Sequence, residues 1–399
     1  MVIREQYLQK LRQLKDKKLI KVVTGIRRCG KSTLLEQFRD ELLAEGVDES
    51  QTIFLNFEAL EMEELRDYKK LHDHILGRLQ PDKANYVFLD EIQNVTHFER
   101  AVDSLFVKDN VDLYITGSNA YMLSGELATL LSGRYISLHV LPFSFAEYCE
   151  AFYVRQGDIL PIELLPQYLD SSSFPEAVAL QQTAPAQVNH YLRDIVDSVI
   201  YKDISQRHDI RSMPKLEKTL QFLLSSVGSN ISSKRIADTL GDVSHTTVSN
   251  YITYLTEAYI FYRSQRYDIK GKRLLKTQEK YYAVDLGLRN ILLSEPRGAD
   301  RGHKLENIVY LELLRRGGEV RVGKHSDNEV DFLVQDGSGQ RSYYQIAYTA
   351  VEDSTLAREL RPLLAIKDNY PKYLITTDLG SETHAGIKQI NAADWLLDL

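Results

Sequence analysis

Sulfur chemistry is nearly missing from this chain: 399 residues carry two cysteines, Cys29 and Cys149. Two thiols so far apart in sequence exclude a disulfide framework or a cysteine-rich metal site, and they suit a reducing cytoplasm. Long apolar runs are missing too. No stretch approaches the roughly 18 residues that a membrane span needs, so no membrane partner is expected. The opening residues, MVIREQYLQKLRQLKDKK, are charged throughout and lack the apolar centre of a secretory signal. Internal repeats and low-complexity tracts are not found. The remaining composition, 43% hydrophobic and 26% charged, is that of an ordinary soluble globular protein. The length allows two or three domains, because single cores rarely exceed about 250–300 residues.

Positive charge is scarce overall, with a net charge of −7, but it is unevenly spread. Between Lys202 and Lys280, 14 Lys and Arg stand against 8 Asp and Glu. A basic middle in an acidic chain points to a localised anionic partner; the plainer alternative is an unevenly charged solvated surface.

The first part of the chain alternates short β-branched runs with helical spacing. LIKVVTG (19–25), TIFLNF (52–57), NYVFLDE (85–91), DLYITGS (112–118) and YISLHVL (135–141) read as strands buried on both faces of a parallel sheet. Residues 32–46, 61–80 and 97–108 read as the helices between them. This is a doubly wound α/β pattern. From about 143 to 225 the pattern is helical. Residues 230–285 then read as helix, turn and helix, followed by two tyrosine-rich strands around a basic turn. From about 300 a third unit begins, with a helix in KLENIVYLELLRR, strands in EVDFLVQ, SYYQIAY and KYLITTD, and a helix near 354–368.

Within this frame, GIRRCGKST (Gly25, Ile26, Arg27, Arg28, Cys29, Gly30, Lys31, Ser32 and Thr33) fits a phosphate-binding loop between a strand and a helix. Such a loop turns backbone N–H groups toward phosphates, and the following helix adds its dipole. Lys31 is expected to reach the β- and γ-phosphates of ATP, and Ser32 to offer its hydroxyl to Mg²⁺. Ile26 is free to pack on the core, Arg27 and Arg28 to face a neighbouring subunit, and Cys29 reads as a small packing residue. The run YVFLDEIQ places Asp90 and Glu91 at a strand end, 59 residues after Lys31 with one strand between. Asp90 suits a Mg²⁺ ligand and Glu91 the group that polarises the attacking water. This arrangement is that of the additional-strand ATPases. In YITGSNA, Ser118 or Asn119 is placed to sense the γ-phosphate. Arg134, just before the last strand, is either an arginine finger for a neighbouring subunit or a structural or same-chain arginine.

The basic middle has helix-turn-helix spacing. Its second helix would expose His245, Thr246 and Asn250, with Lys270, Lys272 and Arg273 at the tip of a wing-like turn. DNA is one partner that such a module takes; a protein is the other. In the C-terminal unit, Glu306 and Asp331 take the places of a Mg²⁺-dependent nuclease's acids. The third strand should then read Glu-x-Lys, but reads Gln345-Ile346-Ala347. Without that carboxylate and lysine, a nuclease-like fold lacking cleavage is expected.

Together, VVTGIRRCGKSTLL, FLDEIQ, ITGSNA, LSGRYISLHVLPFSFAEY, SFPE, YKDI, GHKLENIVYLEL and EVDF resemble the widespread bacterial and archaeal AAA+ ATPases whose C-terminal domain is related to PD-(D/E)xK nucleases. The resemblance covers nearly the whole chain and implies an ATPase that forms a homo-oligomer. The expected architecture is α/β: a P-loop AAA+ (additional-strand) core at 1–142 and a helical lid at 143–213. A winged helix-turn-helix would follow at 214–298, and a restriction-endonuclease-like α/β domain at 299–399. Two functions are in view, an ATP-driven machine acting on DNA and a nucleotide-gated signalling or defence switch that binds proteins; a nuclease effector ranks third.

Overall fold

Five parallel strands organise the N-terminal part in a computed structural model that describes residues 2–120, 131, 133–156, 160–275, 278–294, 296 and 298–398. They are β1 (Ile20–Thr24), β2 (Thr52–Asn56), β3 (Asn85–Asp90), β4 (Val111–Gly117) and β5 (Tyr135–His139), in the order β2-β3-β4-β1-β5. The central three are buried along their whole length, as their unbroken apolar runs require. The two edges differ from that expectation. β2 alternates buried and half-buried positions, and β5 leaves Ile136 and Ser137 exposed, because an edge strand has a neighbour on one side only. Helices α1 (Glu5–Leu14), α2 (Lys31–Ala44), α3 (Tyr68–Leu76) and α4 (Phe98–Phe106) accompany the sheet. The helix expected over 61–80 is split into a 3₁₀ segment, Leu60–Arg66, and α3. The break is at Asp67, whose carboxylate accepts from the backbone N–H of Lys69 and Lys70 and starts α3 afresh. One face of the sheet is closed by Val22, Leu55, Val87, Leu89 and Ile115, packed on Leu71, Ile75, Val102 and Leu105. A charged pair lies at the other end of the strands. Lys21, fully buried in β1, is tolerated because Asp112 pairs with it, and Asp112 also accepts from the Tyr114 hydroxyl at 2.8 Å.

The chain divides into two units, Met1–Val140 and Leu141–Leu399. The second unit opens with helices α5 (Phe145–Gln156), α6 (Pro161–Asp170), α7 (Pro175–Thr183) and α8 (Val188–Ser198), the last running into a π-helical turn, Val199–Ser205. The SFPE stretch acquires a structural meaning here. Asp285 accepts from both the backbone N–H and the hydroxyl of Ser173, at 2.7 and 2.9 Å, while its other oxygen caps α12 (Leu286–Leu293) at Leu288 N–H. Gly287 packs so closely on Ser172 that a Cβ would lie 2.5 Å from the serine side chain.

After α9 (Met213–Ser225), helices α10 (Ser233–Leu240) and α11 (His245–Glu257) form the segment read as helix-turn-helix, with Gly241 in the left-handed conformation ending α10 (φ +76°). The two tyrosine-rich strands expected after it are four short ones. β6 (Phe261–Ser264) pairs antiparallel with β9 (Lys280–Ala283), whereas β7 (Arg266–Asp268) and β8 (Arg273–Leu274) leave them. Gln265 is the divergence point: its carbonyl accepts from Val322 N–H and carries β7 into parallel pairing with β10 (Glu319–His325). The basic turn thus caps an eight-stranded sheet, in the order β14-β15-β13-β12-β11-β10-β7-β8, that the C-terminal residues build. Its other strands are β11 (Asn328–Gln335), β12 (Arg341–Ile346), β13 (Lys372–Thr376), β14 (Glu382–His384) and β15 (Ile387–Asn391). α13 (Arg301–Arg315) precedes β10, α14 (Asp353–Ala365) crosses from β12 to the parallel β13, and α15 (Ala392–Leu396) follows β15. A division at residue 298 therefore runs through a shared sheet.

Candidate nucleotide site

The loop after β1 is shaped by two glycines. At Gly25 (φ +148°) a Cβ would stand 2.2 Å from the Val140 carbonyl oxygen, so no side chain fits. Gly30 (φ +99°) opens α2 without any side-chain cap, leaving the first amides of that helix facing the loop. Between them, Ile26 and Cys29 are fully buried, and burial pushes the Cys29 thiol up, as suits a packing residue. Arg27 pairs with Glu58 at 2.7 Å, while Arg28 is exposed in the left-handed conformation (φ +66°). Ser32 and Thr33 are half-buried on the first turn of α2. Lys31 is buried. Its ammonium donates to the carbonyls of Gly25 (3.1 Å) and Ile26 (3.2 Å) and lies 3.5 Å from Glu91 Oε1. Arg4, a residue no sequence pattern singles out, braces the loop from behind by donating to the Cys29 carbonyl at 3.0 Å.

Asp90 ends β3 and Glu91 follows it in the left-handed conformation (φ +52°), an uncommon geometry that turns the side chain out of the strand register. Thr116 of the adjacent β4 serves both: its hydroxyl donates to Asp90 Oδ1 at 2.6 Å and accepts from Glu91 N–H at 2.8 Å. Asp90 Oδ2 is buried and has no hydrogen-bond partner among the described residues. Burial pushes the Asp90 carboxyl up, and the hydroxyls of Thr116 and Ser32 work against that. Burial acts on Glu91 too, but Lys31, Gln93 and Arg27 outweigh it and hold the carboxyl below its ordinary range. Gln93 donates to Glu91 Oε2 and, at 3.4 Å, to the Ser118 hydroxyl. Asn119 is buried with both amide atoms unpartnered among the described residues. The strand ends thus bring Lys31, Asp90 and Glu91 together, with Ser118 linked to them through Gln93.

Arg134 lies elsewhere. Its carbonyl accepts from Ile20 N–H, which places it beside the first residue of β1, and its guanidinium pairs with Asp103. The five residues of β1 separate it from the phosphate loop by roughly 16 Å. That span sets the Arg134 backbone apart from its own chain's phosphate loop, and the pair with Asp103 is what a structural arginine makes.

The AAA domain family matches residues 17–149, and a domain of unknown function matches residues 162–297. An uncharacterized protein of Haemophilus influenzae is 39% identical over 403 residues, spanning 100% of this chain and 99% of its own length. The chain belongs to the same family as this relative, with the AAA domain confined to residues 17–149. An uncharacterized protein of Methanocaldococcus jannaschii is 29% identical over 370 residues, covering 88% of this chain and 79% of its own. Among solved structures, the Walker-type ATPase PABY2304 of Pyrococcus abyssi superposes with a TM-score of 0.50 at 16% identity, over 73% of this chain and 96% of that one, a likeness of fold.

The remaining candidates of this AAA-domain protein lie in its second unit. His245, Thr246 and Asn250 are exposed on the first turns of α11, whose N-terminus is capped by the Ser244 hydroxyl. Lys270, Lys272 and Arg273 are exposed on the β7–β8 hairpin; Lys276 of the same turn, like Ser132 beside Arg134, falls outside the described residues. Glu306 of α13 and Asp331 of β11 do come together, joined by Glu329 and Lys280, which the sequence did not single out. Gln345 does not join them: its amide donates to Glu359 at 3.0 Å, and Ala347 is buried in the core with Val330 and Leu363. Among the described residues no helix is long and apolar enough to cross a membrane.

Proposed function

We propose that this AAA-domain protein hydrolyses ATP with Mg²⁺ and, as an oligomer, couples the cycle to DNA held by residues 214–298. The observation that carries the reading is the carboxylate pair after β3: Asp90 offers an orphaned buried oxygen and Glu91 faces Lys31. Ser32 and Asp90 suit Mg²⁺, which when bound supplies positive charge at the β- and γ-phosphate oxygens. Lys31 would exchange the loop carbonyls for those phosphates. Glu91 would take a proton from the attacking water, and Asn119 or Ser118 would orient that water.

The placement of Arg134 supports a finger acting on a neighbouring subunit. Arg134→Ala, mixed with wild-type chain, should then depress the specific activity of the mixture below the weighted mean, because each variant subunit disables a neighbour's site. A mixture that follows the weighted mean removes the finger role.

The DNA reading rests on the basic segment and on the exposed polar turn of α11. Binding should weaken with salt, log K falling by about 0.9 per log salt for each phosphate contacted. Replacing Lys270, Lys272 and Arg273 by alanine should reduce that slope by about two to three. Fluorescence anisotropy on duplex, single-stranded and branched DNA measures it, alongside stimulation of hydrolysis; no binding at low salt on any of the three ends this reading. One observation favours a second reading: Glu91 is held by both Lys31 and Gln93, as in a slow, nucleotide-gated switch. That reading predicts turnover indifferent to DNA and a nucleotide-dependent change of mass.

A further inference from the structure

We propose that Glu306, Glu329 and Asp331 form a cation site whose cation is the ammonium of Lys280, and that this internal cation closes the C-terminal sheet to divalent metal. The inference goes beyond the ATPase reading and does not rest on it. The order α13, β10-β11-β12 as an antiparallel meander, α14, and a parallel β13 places Glu306 on the helix and Glu329 and Asp331 two residues apart on one face of β11. A metal-dependent nuclease needs carboxylates converging on one ion at such a place. The carboxylates converge here, but on Lys280 from β9. Its Nζ is 3.0 Å from Glu306 Oε1, 3.1 Å from Glu329 Oε1 and 3.7 Å from Asp331 Oδ1.

Stoichiometry and charge both fit an ammonium. Lys280 is 4% exposed, and its three N–H donors face three carboxylates. Burial pulls the ammonium down, but the three acids outweigh it and hold Lys280 charged. Arg266, 3.4 Å from Glu329 Oε2, supplies a second positive charge. Burial and the neighbouring Glu306 push the Asp331 carboxyl up.

The other oxygens of Glu329 and Asp331 are occupied too, and Glu306 Oε1 takes a second donor. Glu306 Oε1 accepts from the Tyr282 hydroxyl at 2.7 Å, Glu329 Oε2 from Asn230 Nδ2 at 2.9 Å, and Asp331 Oδ2 from Ile346 N–H at 2.8 Å. A hard divalent ion needs about six oxygen ligands, some from water. Among the described residues no group of three His, Cys, Asp or Glu is arranged to hold a metal. The residues present do not fit one while Lys280 stands among them.

Removing the ammonium should therefore create a metal site. The test uses nucleotide-free full-length chain carrying Asp90→Asn, so that the carboxylate proposed for Mg²⁺ at the ATP site contributes nothing and the ATPase reading cannot affect the outcome. Free Mn²⁺ is followed by electron paramagnetic resonance. With Lys280 present, no Mn²⁺ should bind in the millimolar range. Lys280→Ala should bind one equivalent with a dissociation constant below about 1 mM, the weak end of protein oxygen sites. Adding Glu306→Gln should abolish that gain. Equal binding with and without Lys280, or no gain in the alanine variant, overturns the proposal. So does Mn²⁺-dependent DNA cleavage that Lys280→Ala abolishes, since Lys280 would then serve a metal-bearing active site. A buried alanine variant can fail to fold, so the wild-type chain provides a second readout. Its ¹H–¹⁵N lysine spectrum should contain a slowly exchanging ammonium signal that Lys280→Arg removes and that Mn²⁺ leaves sharp. Broadening of that signal by Mn²⁺ puts metal at the cluster and refutes the assignment.

Discussion

Glu91→Gln is expected to lower ATP hydrolysis by about 10²–10⁴-fold, the usual contribution of a positioned general base, while nucleotide still binds. The substitution keeps the shape of the side chain, and the backbone anchor from Glu91 N–H to Thr116 is untouched. Asp90 keeps its own bond to Thr116, so the oxygen proposed for Mg²⁺ stays in place. What is lost is the negative charge that accepts the proton. Phosphate release and equilibrium binding of a fluorescent ATP analogue separate the two effects. A variant that turns over at the wild-type rate would strip Glu91 of the role. The pH dependence has a defined sign. Although buried, Glu91 is held below its ordinary range mainly by Lys31. Its function as base should therefore persist through neutral pH and fail only as the pH falls below the ordinary carboxylate range.

Lys31→Ala should have the larger effect on binding. Truncating one partner of a buried charge pair costs about 2–5 kcal/mol, so affinity for ATP should fall by about 30- to 5000-fold. Here the lysine also has work before nucleotide arrives. It neutralises Glu91 across 3.5 Å and ties down the carbonyls of Gly25 and Ile26. Its loss leaves a buried carboxylate unpaired, so the nucleotide-free variant should also melt below wild type. Isothermal titration with ATP and a thermal melt without it measure both; unchanged affinity would mean that phosphates do not bind at this loop.

Most of the candidate nucleotide site's layout was legible because local spacing carries the motifs. A glycine-bounded loop between a strand and a helix, and two acids at a strand end, are recognisable along the chain, and the five strands followed from their apolar runs. Three side chains were not legible, each because its role depends on a neighbour distant in sequence. Thr116 looks like any β-branched strand residue until β4 is laid beside β3. Arg4 precedes every recognisable motif. Lys280 was counted with a basic surface, yet it is buried among acids: summing charge along a segment ignores which side chains face inward. The divergence at Gln265 escaped for a related reason, since one residue of extended chain carries no periodicity to show that the strand changes partners.

That divergence decides where the protein can be cut. A fragment beginning at residue 299 would carry β10 without β7, exposing a bare strand edge of the kind that recruits other chains. It would also carry Glu306, Glu329 and Asp331 without the lysine that neutralises them. The smallest self-sufficient C-terminal piece has to start upstream of β6, so deletion analysis that trims the basic hairpin away from the sheet would report on misassembly and not on function.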